Sequence, residues 1–292
     1  MITRLHSALV EVLDFEGAVA DYARLSGRRP ARQERAVDGR RSAFFAFPNM
    51  ALELREIPAG LEGDGEPPRS GQAGLRFVWE GGDPTEALAA AGVALGAKVE
   101  HQAVSLEDAG SGPDRSWSTY PVVPASSRQL PVEIVVEASP VPDLLGLAPE
   151  PVPGAERPEA RIHGLDHVVV MSPSPDDTRA FYGDGLGIRL ALDKTFDERG
   201  VRLLFFRLGG LTVEIGARAG VAPAPEKADR FGGLAWQVPD IDAVQSRLVG
   251  DGFDVSEVRT GNKPGTRVCT VRDRVHGVPT LLIQPVHPIR TD

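Results

Sequence analysis

The chain has 292 residues, 41% hydrophobic and 25% charged, an ordinary balance for a globular protein with room for two cores. Its formal net charge of −9 argues against a nucleic-acid partner, because phosphate binding draws on clustered Lys and Arg. Cys269 is the only cysteine, which excludes an intrachain disulfide and a thiolate metal cluster, and no apolar run is long enough to span a bilayer. The aliphatic run Leu5-His6-Ser7-Ala8-Leu9-Val10 predicts a first strand. Ala18, Val19, Tyr22 and Leu25 follow at helical spacing, and Gly27 supplies a stop. Ala51-Leu52-Glu53-Leu54 predicts a closing strand. After a break over 58–74 the pattern resumes with a strand at 74–77, a helix around 86–91 ending at Gly92, and a last strand at 130–135. Pro140, Pro142, Pro149, Pro151, Pro153 and Pro158 mark the most proline-rich stretch, which reads as a linker. Leu165-Asp166-His167-Val168-Val169-Val170 then predicts another strand, followed by a helix carrying Phe181, Tyr182 and Leu186 and a strand at 211–215. A break over 216–233 precedes a strand at 233–236, a helix at 241–249 ending at Gly252, and a last strand at 278–283.

These segments repeat. Tyr22 and Gly27 recur 160 positions later as Tyr182 and Gly187. Strand, helix and a hairpin-linked run of strands is a βαβββ order, and a single copy leaves one sheet face bare, so copies must pair. The expected fold class is α+β: tandem βαβββ units forming two cupped mixed β-sheets with helices outside. Residues 1–139 form an N-terminal domain (units 3–57 and 72–138), 140–161 the linker, and 162–288 a C-terminal domain (units 162–217 and 230–287). Met1–His6 is soon followed by Glu11 and Asp14, which does not read as a signal peptide, so a cytoplasmic location is expected.

The stretches 164–187 and 202–215 resemble the opening unit of the vicinal oxygen chelate superfamily, which includes glyoxalase I, bleomycin resistance proteins and extradiol dioxygenases. The resemblance covers nearly the whole chain outside the linkers. The superfamily is functionally broad, so its fold alone decides little. In its metal-using members each unit offers a first-strand histidine or glutamine and a last-strand glutamate to a shared divalent ion. The resemblance implies His167 and Glu214 for these positions in unit three. In unit one Glu53 matches Glu214, but Ser7 stands opposite His167. His6 is one residue off, which on a regular strand means the other face. Unit two offers Gly74 and Glu133, and unit four Gly233 and Leu281, so unit four keeps neither ligand. Adjacent units are expected to pair, since sequential elements usually lie side by side. Crossed pairing of units two and three would instead bring Glu133 to His167 and Glu214 as a third metal ligand.

Other candidates come from the residues themselves. In unit four, Arg259, Lys263, Arg267, Arg272 and Arg274 cluster around a turn at 262–265. Arg267 could fork onto a carboxylate or phosphate in the cup with Lys263 beside it, or the cluster could be a basic surface hairpin. Trp236, Phe205 and Phe206 read as core or cup lining, Trp236 and Phe206 joining Lys263 and Glu133 as candidate substrate contacts. Cys269 reads as a buried small hydrophobe. Glu214 could also be a solvated strand residue, and His167 a structural histidine. No phosphate-cradling glycine loop or nucleophile motif is present.

Two function classes follow. The first is a lyase- or isomerase-type enzyme acting on a small carbonyl or carboxylate compound in the C-terminal cup. His167, Glu214 and Arg267 would be catalytic, with one divalent ion (Mn, Fe, Co, Ni or Zn) or with none. The second is a metal-free protein that binds or sequesters a small molecule, favoured by the lost ligand positions. In both, the N-terminal half is a degenerate domain, the partner is a small molecule and not nucleic acid or membrane, and the protein is a monomer or homodimer.

Overall fold

The computed structural model describes residues 1–58, 70–106, 115–136 and 150–286. Of the expected breaks, positions 59–69 and the linker positions 140–149 lie outside the described residues, as do the domain ends 137–139 and 287–288. Unit one comprises β1 (Ile2–Val12), α1 (Phe15–Ser26), β2 (Arg32–Ala36), β3 (Arg41–Phe47) and β4 (Met50–Glu56). Unit two comprises β5 (Ala73–Trp79), α2 (Thr85–Ala90), β6 (Val99–Ser105), β7 (Arg115–Pro121) and β8 (Val132–Val136). Unit three comprises β9 (Gly164–Met171), α3 (Pro175–Arg179) continuing as a π-helical turn over Ala180–Gly185, β10 (Arg189–Phe196), β11 (Val201–Leu208) and β12 (Leu211–Arg218). Unit four comprises β13 (Arg230–Gln237), α4 (Ile241–Gly250), β14 (Arg259–Thr260), β15 (Arg267–Val271) and β16 (Thr280–Gln284). Asp14 caps α1 by accepting the Gly17 N–H at 2.9 Å, and Gly27 ends it at φ +77°, a conformation glycine adopts without strain. No helix among the described residues is long and apolar enough to cross a membrane.

Adjacent units pair, through antiparallel contacts of β1 with β5 and of β9 with β13. The N-terminal strands close into a barrel in the order β1-β4-β3-β2-β6-β7-β8-β5. The C-terminal strands run β10-β11-β12-β9-β13-β16-β15-β14 and stay open. Closure follows from β2 pairing with β6, Glu34 opposite Ser105. The C-terminal counterpart of β6 is only two residues long, so β10 is left as an edge. Because β8 lies between β7 and β5, Glu133 belongs to the N-terminal barrel. The crossed pairing that would carry it to His167 does not form.

One hydrophobic core joins the halves, built from the helix-covered faces of both sheets. Phe47 meets Trp236 at 4.7 Å between ring centroids, and Phe77 meets Tyr182 edge-on at 6.3 Å. Polar clamps fix the register of the two sheets. Asn49 donates to the Leu165 carbonyl at 2.7 Å and accepts its N–H at 3.1 Å. The Tyr22 hydroxyl donates to the Val275 carbonyl at 3.1 Å. The described part of the linker packs on the N-terminal half, with Arg29 N–H donating to the Glu150 carbonyl at 2.8 Å.

Candidate functional site

The concave face of the C-terminal sheet is set by register. Thr212 pairs with His167 and Ala235 with His167 from the other side, while Glu214 pairs with Val169 and with Phe205. Residues two apart on a strand share a face, so His167 and Glu214 project from neighbouring rows of one surface, with Leu203, Phe205 and Arg207 beside them. Both side chains are half-buried, and His167 Nε2 lies 3.9 Å from Glu214 Oε2. This gap is too long for a hydrogen bond, yet it leaves one substrate atom within reach of both groups.

A bulge enlarges the site. Leu165 pairs with Trp236 and His167 with Ala235, so Asp166 has no partner across the ladder. The extra residue re-aims its side chain, and Asp166 Oδ1 comes to 2.7 Å from His167 Nδ1. Gln237 donates to the other carboxylate oxygen at 2.9 Å. Burial alone would raise the Asp166 carboxyl, but the hydrogen bonds from His167 and Gln237 and the nearby charge of Arg207 hold it below its usual range. An ionised Asp166 can only accept, so the Nδ1 proton points to it and Nε2 faces Glu214. Burial lifts the Glu214 carboxyl above the usual carboxylate range, against the pull of His167.

Several sequence expectations are corrected here. Trp236 and Phe206 are fully buried members of the shared core, on the sheet face opposite Glu214. Phe205 is the phenylalanine that lies across from Glu214. Arg267 shares the strand face of the core residue Cys269, not that of the cup, and forks onto Asp242 of α4 at 2.6 and 2.8 Å. Lys263 sits in an exposed turn before β15, three strands removed from β9. Cys269 is buried in the core as expected. His6 is the counterpart of Asp166: Leu5 pairs with Phe77 and Ser7 with Arg76, so His6 is bulged and its Nδ1 reaches the Ser7 hydroxyl at 3.0 Å. The alternation that put His6 on the other face does not hold across a bulge. Asp166, Gln237 and Arg207 were not singled out by the sequence. For Asp166 the available signal was two consecutive polar residues, Asp166 and His167, interrupting an apolar strand.

The N-terminal barrel is filled rather than cupped. Glu34, Glu53 and Arg76 are 2%, 1% and 1% exposed. Arg76 pairs with Glu53 through Nη1 and with Glu133 through Nε at 2.7 Å, and Glu53 also accepts from Ser42 at 3.2 Å and Arg55 at 3.1 Å. One guanidinium thus bridges the two carboxylates at the last-strand positions of units one and two, and Arg55 supplies Glu53 with a second cation. Burial by itself would weaken the hold of Arg76 on its proton, but Glu53 and Glu133 more than offset this and keep it charged.

The donors present do not complete a three-ligand metal centre. At the second first-strand position Gly233 has φ +133°, and a Cβ there would lie 2.4 Å from the Pro279 carbonyl oxygen. At the second last-strand position stands Leu281, half-buried and paired with Ala235. Among the described residues no three His, Cys, Asp or Glu side chains gather to hold an ion.

Paired βαβββ units with a strand histidine and a last-strand glutamate on one concave face agree with the architecture expected from the vicinal oxygen chelate resemblance. Residues 166–270 match the family model described as the Glyoxalase/Bleomycin resistance protein/Dioxygenase superfamily. The match covers 105 of the 292 residues and is a likeness of that segment; over the whole chain the likeness is to the fold of the two-domain structures that follow. A mutant of 4-hydroxymandelate synthase from Streptomyces coelicolor superposes with a TM-score of 0.64 at 16% identity, over 100% of this chain and 94% of that one. The 2,3-dioxygenase LapB from a Pseudomonas species gives 0.63 at 13% identity, over 99% and 94%. The Mn(II)-bound glyoxalase from Novosphingobium aromaticivorans gives 0.61 at 16% identity, over 99% and 84%. At such identities the likeness concerns the fold. No curated protein matches the chain in sequence.

Proposed function

We propose that the concave face of the C-terminal sheet binds a small organic molecule bearing a carbonyl or carboxylate and moves a proton at the carbon beside it, in isomerase- or lyase-type chemistry. The observation that carries this reading is the alignment Gln237–Asp166–His167–Glu214, with 2.9 Å, 2.7 Å and 3.9 Å between successive partners. In the proposed step the Glu214 carboxylate takes the proton from the α-carbon, the C–H electron pair forms the carbon–carbon double bond of the enolate, and the carbonyl π pair moves to oxygen. Glu214 hands that proton to His167 Nε2, which Asp166 keeps turned to the cup, and the imidazole returns it to the resulting enolate, so both groups end as they began. Burial raises the Glu214 carboxyl and makes its carboxylate a stronger base than an exposed one, which suits a group that takes a proton from carbon. Arg207 is placed to hold a substrate carboxylate. No step runs through a divalent ion, because Gly233 and Leu281 stand where further ligands would be needed.

The same two positions favour a second reading, a metal-free cup that binds or sequesters its ligand without chemistry. Proton exchange separates the two. Incubating the protein in D2O with a panel of 2-oxo acids and 2-substituted acyl thioesters is expected to exchange the α-proton of at least one compound, by NMR. Glu214→Gln should lower that rate by at least 100-fold and leave ligand-induced stabilisation in place. Binding without exchange in the wild type would sink the enzyme reading and leave the binder. A further readout is stability. A carboxyl whose folded pKa lies above its unfolded value costs nothing below the unfolded value, and its cost grows as pH rises from there through the folded value. Glu214→Gln should therefore gain stability over wild type at pH 8 and gain none at pH 4.

A further inference from the structure

A cavity of about 720 Å³ opens where the ends of β9, β12 and β13 meet α3 and the loop 219–229. Neither His167 nor Glu214 lines it. Its nearest wall, Gly216, lies two residues beyond Glu214 on β12, roughly 7 Å along the strand. The volume falls within the range of small-molecule sites, roughly 300–1,000 Å³.

The lining has two characters. Met171, Pro173, Ala217, Val221, Ala222 and Pro223 make an apolar wall, and Met171 and Val221 are exposed at 38% and 62%. Arg218, Lys227 and Arg230 supply three exposed cations, none with a carboxylate partner among the described residues. The fourth lining cation, Arg202, is held by Asp193 at 2.7 Å and by Asp176 at 2.9 Å. Three uncompensated positive charges around one apolar hollow are unexpected in a chain with a net charge of −9.

The cavity is also preformed. The Ala224 N–H donates to the Pro173 carbonyl at 3.0 Å, and Ala219 N–H to the Gly200 carbonyl at 2.9 Å. Arg128, from the N-terminal half, donates to the Pro225 and Lys227 carbonyls at 3.3 and 2.9 Å and to Asp229 at 3.1 Å. The buried Asp229 carboxylate accepts from Thr178 at 2.7 Å as well. A ligand entering here does not have to order the loop first.

We propose that this cavity is a second binding site, for an organic anion with an apolar body: a carboxylate or phosphate monoester on an alkyl or aryl group. The body fills the apolar hollow and the anionic group meets Arg218, Lys227 and Arg230. The site does not depend on the proton-transfer chemistry proposed above.

Calorimetric titration of the full-length protein with octanoate and octyl phosphate tests it, with octanol and inorganic phosphate as the charge-only and body-only deletions. Both amphiphiles should bind more tightly than either control, and the weaker of the two identifies the less suited head group. Lengthening the chain should tighten binding roughly fourfold per buried methylene until the cavity is full. Lys227→Ala with Arg230→Ala should weaken binding at least fivefold and flatten its salt dependence. Ala222→Trp, which fills the hollow without touching a charge, should abolish binding. The thermal midpoint of each variant checks folding. Octanol binding as well as octanoate would overturn the proposal, and so would unchanged affinity in the double variant and in Ala222→Trp. Loss of binding in Glu214→Gln would place the amphiphile in the cup instead and overturn it too.

Discussion

Replacing Arg76 by leucine tests whether the N-terminal barrel is held by charge pairing. Arg76 and Glu53 are each 1% exposed, and the guanidinium is shared with Glu133. Its Nη2 is buried without a partner among the described residues. Among the described residues Arg76 is the cation that bridges the two carboxylates, and Arg76→Leu removes it while Glu53, 1% exposed, keeps its bonds from Ser42 and Arg55. Deleting one partner of a buried pair costs about 3–5 kcal/mol. At about 2–4 °C per kcal/mol for a large domain, the thermal midpoint should fall by roughly 6–20 °C. Replacing Glu53 by leucine in the same chain should recover part of the loss, because the dry carboxylate is then gone and Glu133, 26% exposed, keeps access to water. Calorimetry and urea titration followed by near-UV circular dichroism measure both variants. A loss under about 1 kcal/mol, the value of an exposed pair, would refute the reasoning and mean that the interior admits water.

Two further outcomes follow from backbone and hydroxyl geometry. Gly233→Ala should cost about 1–3 kcal/mol in a urea titration, because φ +133° is closed to alanine and its Cβ would meet the Pro279 carbonyl; a neutral result would show that the strand end relaxes freely. Tyr22→Phe should cost about 1 kcal/mol by losing the bond to Val275, whereas Tyr182→Phe should be neutral or stabilising, since its buried hydroxyl has no partner among the described residues. Equal costs at the two repeat-related tyrosines would argue that Tyr182 bonds a buried water.

The four-unit plan was legible because its signals are local. Gly27 and Gly252 stop their helices at positive φ, Tyr22 and Tyr182 recur in register, and short connections make adjacent units pair. The face of each strand was less legible. In Leu203-Leu204-Phe205-Phe206 both faces are apolar, so alternation cannot choose which phenylalanine sits across from Glu214; only the pairing of β11 with β12 does. Trp236 lies in an equally apolar run and was drawn into the core by Phe47, 189 positions earlier. Arg267 was misplaced because the turn before β15 sets its face, and that turn aims it at Asp242 on the helix side. His167 and Glu214 came together on one surface because both positions were matched to a repeat rather than argued from charge alone.

The unpaired residue in β1 and β9 has a consequence for how duplicated chains diversify. A regular strand presents one position per rung to a given surface, whereas an inserted residue presents a neighbouring couplet. Both opening strands carry the insertion, at His6 and at Asp166, so each copy had a two-letter slot to fill: histidine with serine in one, aspartate with histidine in the other. Swapping letters within such a slot exchanges proton carrier, orienting group or silent hydroxyl without altering the ladder on either side. New chemistry can then arise by spelling rather than by rebuilding.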